Sequence, residues 1–290
     1  MALFRIFPYL TVLVLTMALA MAGQIHAAAP EPVTVFVSIQ PQAYFVERIA
    51  DERVIVKVLV PPGKSPAVYS PIPSQMTELA GAGLFFTIGM PFERSLMPKI
   101  KGAASGVTIV DTTQGIALRQ FANGGIDPHV WMNPVLVKQQ AENICNALCQ
   151  ALPESADYFR ANLELFQADL DQLDKSIAKA LGPVAGENIF VFHPVFGYFA
   201  DRYGLIQMAV EVEGKAPRGR ALTDFIRQAR AARARVIFVQ PQFDTRTADK
   251  IAMAVNGVVI ALDPLAGDYI NNLTAMTQTI KQAFEPVHHD

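Results

Sequence analysis

The chain has 290 residues, of which 51% are hydrophobic and 17% are charged. This composition excludes a disordered or collagen-like chain and can form a large hydrophobic core. Lys and Arg total 24 against 26 Asp and Glu, so the charge does not favour nucleic acid as a partner. The length suits one large domain or two moderate ones, and we expect two.

Residues 1–27 are typical of a secretory signal peptide. Arg5 supplies the positive charge, an apolar run continues to about Ala22, and small residues stand at Ala27 and just after it. The run is shorter than the roughly 20 residues that a membrane span needs, which favours cleavage over anchoring. No cysteine stands near the predicted cleavage site to carry a lipid. We therefore predict a soluble, non-lipidated periplasmic protein.

After the signal, β-branched apolar runs alternate with helical patterns. Predicted strands in the first half lie near Val33–Ile39, Val54–Val60, Leu84–Ile88 and Val107–Val110. Those in the second half lie near Ile189–Phe192, Gln207–Val212, Arg235–Gln240 and Val258–Leu262. Continuous apolar strands separated by helices are typical of parallel sheets covered on both faces. We therefore predict an α/β fold with two lobes, 28–150 and 186–290, each with a mostly parallel sheet flanked by helices.

A long helix within residues 151–185 is predicted to join the two lobes. Between Asp157 and Leu181, apolar residues recur at steps of three and four, which forms one apolar stripe along a helix. Gly182 and Pro183 then end the helical pattern. A helix of this length is a stiff connection rather than a loose hinge.

The two cysteines, Cys145 and Cys149, lie one helical turn apart. An oxidising compartment permits a disulfide, but consecutive turns of a helix rarely present the required Cβ directions. Two packed thiols are therefore favoured, and the redox state stays open.

Three ligand-type side chains stand where strands or helices begin or end. His129 lies just before Asn133-Pro134, an expected helix N-cap, whereas His193 and Asp263 each follow a predicted strand directly. The carboxyl ends of strands face the crevice where α/β proteins bind ligands. Two imidazoles and a carboxylate in one crevice would suit a divalent first-row metal. Taken singly, such a histidine or aspartate is more often an ordinary loop residue.

Seven short motifs are each weak signals, but their order and separations along the chain are specific when they are taken together. They are Ser38–Phe45, Pro62–Pro66, Tyr69–Pro73, Ile88–Glu93, Asp127–Trp131, Phe192–Pro194 and Leu262–Leu265. Through them the chain resembles the periplasmic metal-binding proteins of zinc and manganese ABC importers, the cluster A-I substrate-binding proteins. The resemblance implies two α/β lobes joined by a long helix. It also implies a metal held between the lobes by three histidines and a carboxylate, and docking on an ABC permease in the inner membrane.

The resemblance places two of the family's histidines on His129 and His193, and its carboxylate on Asp263. It does not place the remaining histidine, because Ala67 stands where the family presents that ligand after the Pro62–Pro66 loop. Since tetrahedral zinc takes four ligands, the implied coordination shell lacks one protein ligand. Three explanations of Ala67 stay open. The chain is an engineered variant, it has drifted from metal transport, or water or another side chain completes the coordination shell. Candidates for the last role are Gln40, Glu211, Glu213 and the terminal pair His288–His289.

We predict a monomeric solute-binding component that captures Zn²⁺ first and Mn²⁺ second, with no catalytic cofactor and no enzymatic activity. The alternative is a family member whose altered site, with Ala67, binds another ligand or partner. A metal-dependent hydrolase is a third hypothesis, but no H-E-x-x-H or similar spacing supplies a general base. The arginine-rich segment 215–235 predicts a solvated helix, with permease docking as the alternative.

Overall fold

The computed structural model describes residues 32–103, 106–121, 123–211, 219–243 and 246–285. The predicted signal peptide, Glu213 and His288–His289 lie outside these ranges. Within the described residues, no helix is long and apolar enough to cross a membrane.

The first lobe is built on a parallel sheet of four strands. These are β1 (Val33–Val37), β2 (Val54–Val58), β3 (Leu84–Thr87) and β4 (Thr108–Asp111), in the order β2-β1-β3-β4. The helices between them are α1 (Gln40–Ala50), α2 (Pro73–Ala80) and α3 (Pro91–Ala103). The central strand β3 has both faces covered, because all four of its residues are buried, whereas the edge strands β2 and β4 are partly exposed.

Two further helices come next in the chain, α4 (Pro134–Ala151) and α5 (Ala156–Leu181). Helix α5 has 26 residues and begins one position before the predicted start. Its buried stripe consists of Phe159, Phe166, Leu170, Leu173, Ile177 and Leu181. This stripe packs against α1 in the first lobe and against the last helix of the second lobe, which confirms a helix that connects both.

The second lobe repeats the strand order of the first. Its strands are β5 (Asn188–Val191), β6 (Ile206–Ala209), β7 (Val236–Val239) and β8 (Val258–Ala261), all parallel and in the order β6-β5-β7-β8. Its helices are α6 (Gly197–Tyr203), α7 (Arg220–Ala231), α8 (Arg246–Ala254) and α9 (Tyr269–Gln282). The predicted fold class is therefore confirmed, and the strand ends differ from those predicted by at most three residues.

Each sheet has one point at which the strand order reverses. In the first lobe this lies between β1 and β3, and in the second it lies between β5 and β7. Loops that leave such neighbouring strands diverge to opposite sides and open a crevice at the carboxyl ends. The candidate site lies where the crevices of the two lobes meet.

Trp131 ties the segment before α4 to the second lobe. Its side chain is only 1% exposed, and its Nε1 donates a hydrogen bond to the Pro264 carbonyl at 2.8 Å. In return, the Tyr269 hydroxyl donates to the Trp131 carbonyl at 2.7 Å. These two bonds fix the backbone two residues beyond His129.

Cys145 and Cys149 are free thiols on α4, with their sulfur atoms 3.9 Å apart. This distance is well beyond a disulfide bond, in agreement with the two packed thiols that the sequence predicts.

Candidate metal site

His129 is held by local structure on its C-terminal side. It precedes the 3-10 turn Val130–Met132 and then Asn133, the N-cap of α4. The Asn133 side chain accepts a hydrogen bond from the Val135 amide at 3.0 Å, as the sequence predicts for a capping residue followed by proline. The turn and cap leave His129 only 7% exposed and facing the crevice.

His193 follows β5 at the point where the second sheet reverses its strand order. Its amide donates to Gln240 Oε1 at 3.1 Å, and Gln240 itself follows the neighbouring strand β7. The two loops that leave the reversal point are therefore bonded to each other, which fixes the backbone at His193.

The structure brings the two histidines together. Their ring centres are 5.2 Å apart and their planes cross at 83°. Both line a cavity of about 130 Å³ between the lobes. The other residues that line it are Ser65, Pro66, Ala67, Met90, Pro91, Phe121, Ile126, Pro128, Trp131, Val195, Gln240, Gln242, Phe243, Pro264 and Leu265. The wall is thus mostly apolar, with few polar groups beside the imidazoles.

Each imidazole pairs through Nδ1 with a buried carboxylate. His129 Nδ1 lies 2.7 Å from Asp127 Oδ1, and His193 Nδ1 lies 2.5 Å from Glu211 Oε2. A carboxylate accepts a hydrogen bond from Nδ1–H and so favours the tautomer in which Nε2 is unprotonated and able to bind a metal. Metal-binding histidines commonly have such an outer carboxylate. Both imidazoles therefore line one cavity with their Nδ1 atoms already paired.

Burial keeps His129 neutral. Loss of solvation lowers the pKa of its imidazole, and the nearby charges of His193 and Arg119 lower it further, whereas Asp127 raises it. The net lowering favours the uncharged form that can bind a cation.

Asp263 lies beside this cavity rather than in its wall. Its Oδ1 accepts hydrogen bonds from Gln242 Nε2 at 2.8 Å and from the Leu265 amide at 3.0 Å. It lines a neighbouring cavity together with Gln40, and Gln242 contributes to both cavities. Among the described residues, no three His, Cys, Asp or Glu side chains are close enough to hold one metal ion. Gln242 therefore stands between the third predicted ligand and the two histidines.

The sequence profile of the periplasmic zinc-uptake complex component A family, ZnuA, matches residues 35–283 of the chain. The chain belongs to this family. A putative metal-binding protein of Chlamydia muridarum is 29% identical over 252 residues, which cover 85% of this chain and 90% of that protein. The high-affinity zinc uptake system protein ZnuA of Yersinia pestis is 27% identical over 304 residues, covering 91% of this chain and 94% of that one.

A crystal structure of ZnuA has the same fold. It superposes with a TM-score of 0.84 at 36% sequence identity, and the match covers 87% of this chain and 99% of that one. The comparisons confirm the predicted class, a periplasmic metal-binding component of ABC uptake systems with two lobes and a long helix.

Ala67, the position of the missing histidine, and the described candidates for a replacement ligand are placed in different ways. Ala67 lines the cavity of the two histidines, so a longer side chain at this position would enter it. Glu211 lies behind His193, on its Nδ1 side, and Gln40 lines the cavity of Asp263. Neither lines the cavity of the two histidines.

Sequence reasoning missed the role of Glu93 in shaping the cavity wall. Its Oε1 accepts from Ser38 Oγ at 2.5 Å and from the Ile88 amide at 3.0 Å. Its Oε2 accepts from the amides of Gly89 at 2.8 Å and Met90 at 3.0 Å. Burial raises the pKa of this carboxyl to about 6 and outweighs the four hydrogen bonds, which favour the ionised form. The glutamate thus holds the β3–α3 loop, whose Met90 lines the cavity.

Two arginines of helix α7 make contacts within the chain. Arg230 donates to the Ala254 carbonyl at 2.8 and 2.6 Å and so caps α8, while Arg227 pairs with Asp224 at 2.5 Å. Arg220 and Arg227 are exposed, as expected for the solvated helix that the sequence predicts, and permease docking of this helix stays a prediction.

Proposed function

We propose that this chain is exported, loses residues 1–27 and acts in the periplasm as the non-lipidated, monomeric solute-binding component of an ABC importer. Residues 28–150 and 186–290 form its lobes, and the helix within 151–185 joins them. It captures Zn²⁺ in first place and Mn²⁺ in second, and delivers the ion to a permease in the inner membrane. It carries out no catalysis, needs no catalytic cofactor and binds no nucleic acid.

The observation that carries this proposal is the pair of preorganised imidazoles. His129 and His193 share one cavity, and Asp127 and Glu211 hold their Nδ1 atoms, so both Nε2 atoms are available to a cation. Neutral imidazoles suit Zn²⁺, whereas Mn²⁺ prefers oxygen ligands. The two nitrogens therefore support zinc as the first choice.

Asp263 is the proposed third ligand. To bind the ion, its carboxylate exchanges the hydrogen bond from Gln242 for a bond to the metal. The fourth position lies on the side of Ala67, where the cavity has room for a water molecule or another small donor.

The test is calorimetric titration of the metal-stripped mature protein with Zn²⁺ and Mn²⁺, beside His129→Ala, His193→Ala and Asp263→Ala. Asp157→Ala is the matched control, since this carboxylate is on the exposed surface of α5. We expect one ion per chain, loss of at least tenfold in affinity for each ligand variant, and no change for the control. Unaltered binding by both histidine variants would disprove the site.

The alternative function is a family member whose altered site binds another ligand. It is favoured by Ala67 and by the bond that keeps Asp263 on Gln242. Failure of the unmodified chain to bind either metal, with binding after Ala67→His, would decide for this alternative.

A further inference from the structure

Asp127 connects His129 to the guanidinium of Arg119, whose side chain is partly exposed. The carboxylate is completely buried; its Oδ1 accepts from the His129 amide at 3.0 Å and pairs with Nδ1 at 2.7 Å. Its Oδ2 accepts from Arg119 Nη1 at 3.2 Å. Both oxygens are thus used, one for the imidazole and one for the guanidinium. The guanidinium is the charged partner of this buried carboxylate, so Arg119 holds Asp127 in place behind the imidazole.

Arg119 is in turn fixed on helix α6 of the second lobe. Its Nε donates to Asp201 Oδ2 at 2.9 Å, and its backbone amide donates to the Tyr198 hydroxyl at 2.7 Å. That hydroxyl donates to the Asp127 carbonyl at 2.9 Å. Helix α6 therefore holds both the arginine and the aspartate that stand behind His129.

Gly197, the first residue of α6, makes this approach possible. A Cβ atom built on it would lie 2.6 Å from Arg119 Nη1, 2.8 Å from Arg119 Cζ and 2.8 Å from Asp127 Oδ2. All three distances are shorter than van der Waals contact. Its φ is not positive, so the backbone does not require glycine here. The requirement comes from the space that the ion pair occupies.

We infer that Gly197 and Arg119 are positioning residues for His129, and that they determine metal affinity through Asp127 without touching the ion. The inference rests on the proposed function for its affinity readout. Loss of an outer carboxylate contact commonly costs 10- to 100-fold in metal affinity. A methyl group at position 197 would separate Arg119 from Asp127 and so loosen the carboxylate that orients the imidazole.

The experiment compares Zn²⁺ affinity, by competition titration, for Gly197→Ala, Arg119→Met and the double variant. Arg119→Met removes the cation without adding an atom at position 197, so it decides the question if Gly197→Ala does not fold. The matched control is Gly102→Ala in α3, where an added Cβ meets nothing within 4 Å. Thermal unfolding of the metal-free proteins shows which variants are folded.

We expect each single variant to bind Zn²⁺ at least tenfold more weakly and the control to bind as the unmodified chain does. The double variant should lose no more Zn²⁺ affinity than the single variant that binds Zn²⁺ less tightly, because both changes break the same contact. Losses that multiply in the double variant, or an affinity within twofold for both single variants, would overturn the inference.

A second readout does not depend on metal binding. Nitrogen NMR of the metal-free protein reports which ring nitrogen of His129 carries the proton. We expect the Nδ1-protonated tautomer in the unmodified chain and in Gly102→Ala, and a mixture in Gly197→Ala and Arg119→Met. If the unmodified chain binds no metal but this shift occurs, the proposed function fails and the positioning role stands. An unchanged tautomer in both variants overturns the positioning role itself.

Discussion

The rings of His129 and His193 lie 5.2 Å apart, centre to centre, although one precedes α4 and the other follows β5 in the second lobe. A metal between their Nε2 atoms would therefore be held by both the segment before α4 and the loop after β5. The first lobe contributes the opposite wall of the cavity, through Ala67 and Met90. The two nitrogens are fixed before any ion binds, which reduces the ordering cost of binding.

Restoring an imidazole at position 67 should strengthen metal binding. Ala67 lines the cavity of the two histidines, so Ala67→His would add a third nitrogen ligand and raise the Zn²⁺ affinity at least tenfold in calorimetric titration. Val68→His is the control, because Val68 is 85% exposed and does not line the cavity. Equal gains from both variants would show that the effect is not coordination in this cavity.

Metal affinity should fall as the pH drops. Binding requires unprotonated imidazoles, and burial lowers the pKa of His129, so protons compete for this ligand only below the ordinary histidine range. We expect the Zn²⁺ affinity to be constant above about pH 7. Well below about pH 6.5 it should fall by up to about tenfold for each unit of decrease in pH. Titrations between about pH 5 and 7.5 measure this. A constant affinity over that range would argue against imidazole ligands.

The carboxylates behind the imidazoles should matter almost as much as the imidazoles themselves. Asp127→Asn and Glu211→Gln keep the shape of each side chain but remove the charge that holds Nδ1–H. We expect each to weaken Zn²⁺ binding by about 10- to 100-fold. Glu164→Gln, an exposed change on α5, is the control for loss of one negative charge. Binding within twofold of the unmodified chain would exclude this outer-carboxylate role.

Glu93 should make the stability of the protein depend on pH. Its pKa rises from 4.5 to about 6 on folding, so the folded state holds the proton more tightly between these values. The free energy of unfolding should therefore decrease as the pH rises through this window, by about 2 kcal/mol at most. Urea unfolding at about pH 4.5 and 7, beside Glu93→Gln, isolates this contribution. If the difference in the free energy of unfolding between the unmodified chain and Glu93→Gln is the same at both pH values, the prediction is wrong.

The predicted part of the site comprises groups that local pattern reveals. Asn133-Pro134 signals the start of α4, so the position of His129 before a helix follows from capping chemistry. The apolar run before His193 predicts a buried strand, and a residue directly after it reaches the crevice. Asp127 was visible only as part of a motif, because nothing in its neighbours shows that it would bond to an imidazole and an arginine.

The sequence by itself determined the two α/β halves, the stripe of α5 and the positions of His129 before a helix and His193 after a strand, because apolar periodicity and capping act over a few residues. Only the tertiary structure decided that Glu211 stands behind His193, that Asp263 is bonded to Gln242 and that Gly197 leaves room for Arg119. These contacts join residues from different strands, helices and loops. Their distances depend on how the elements pack, and a shift of less than 1 Å would make or break each one.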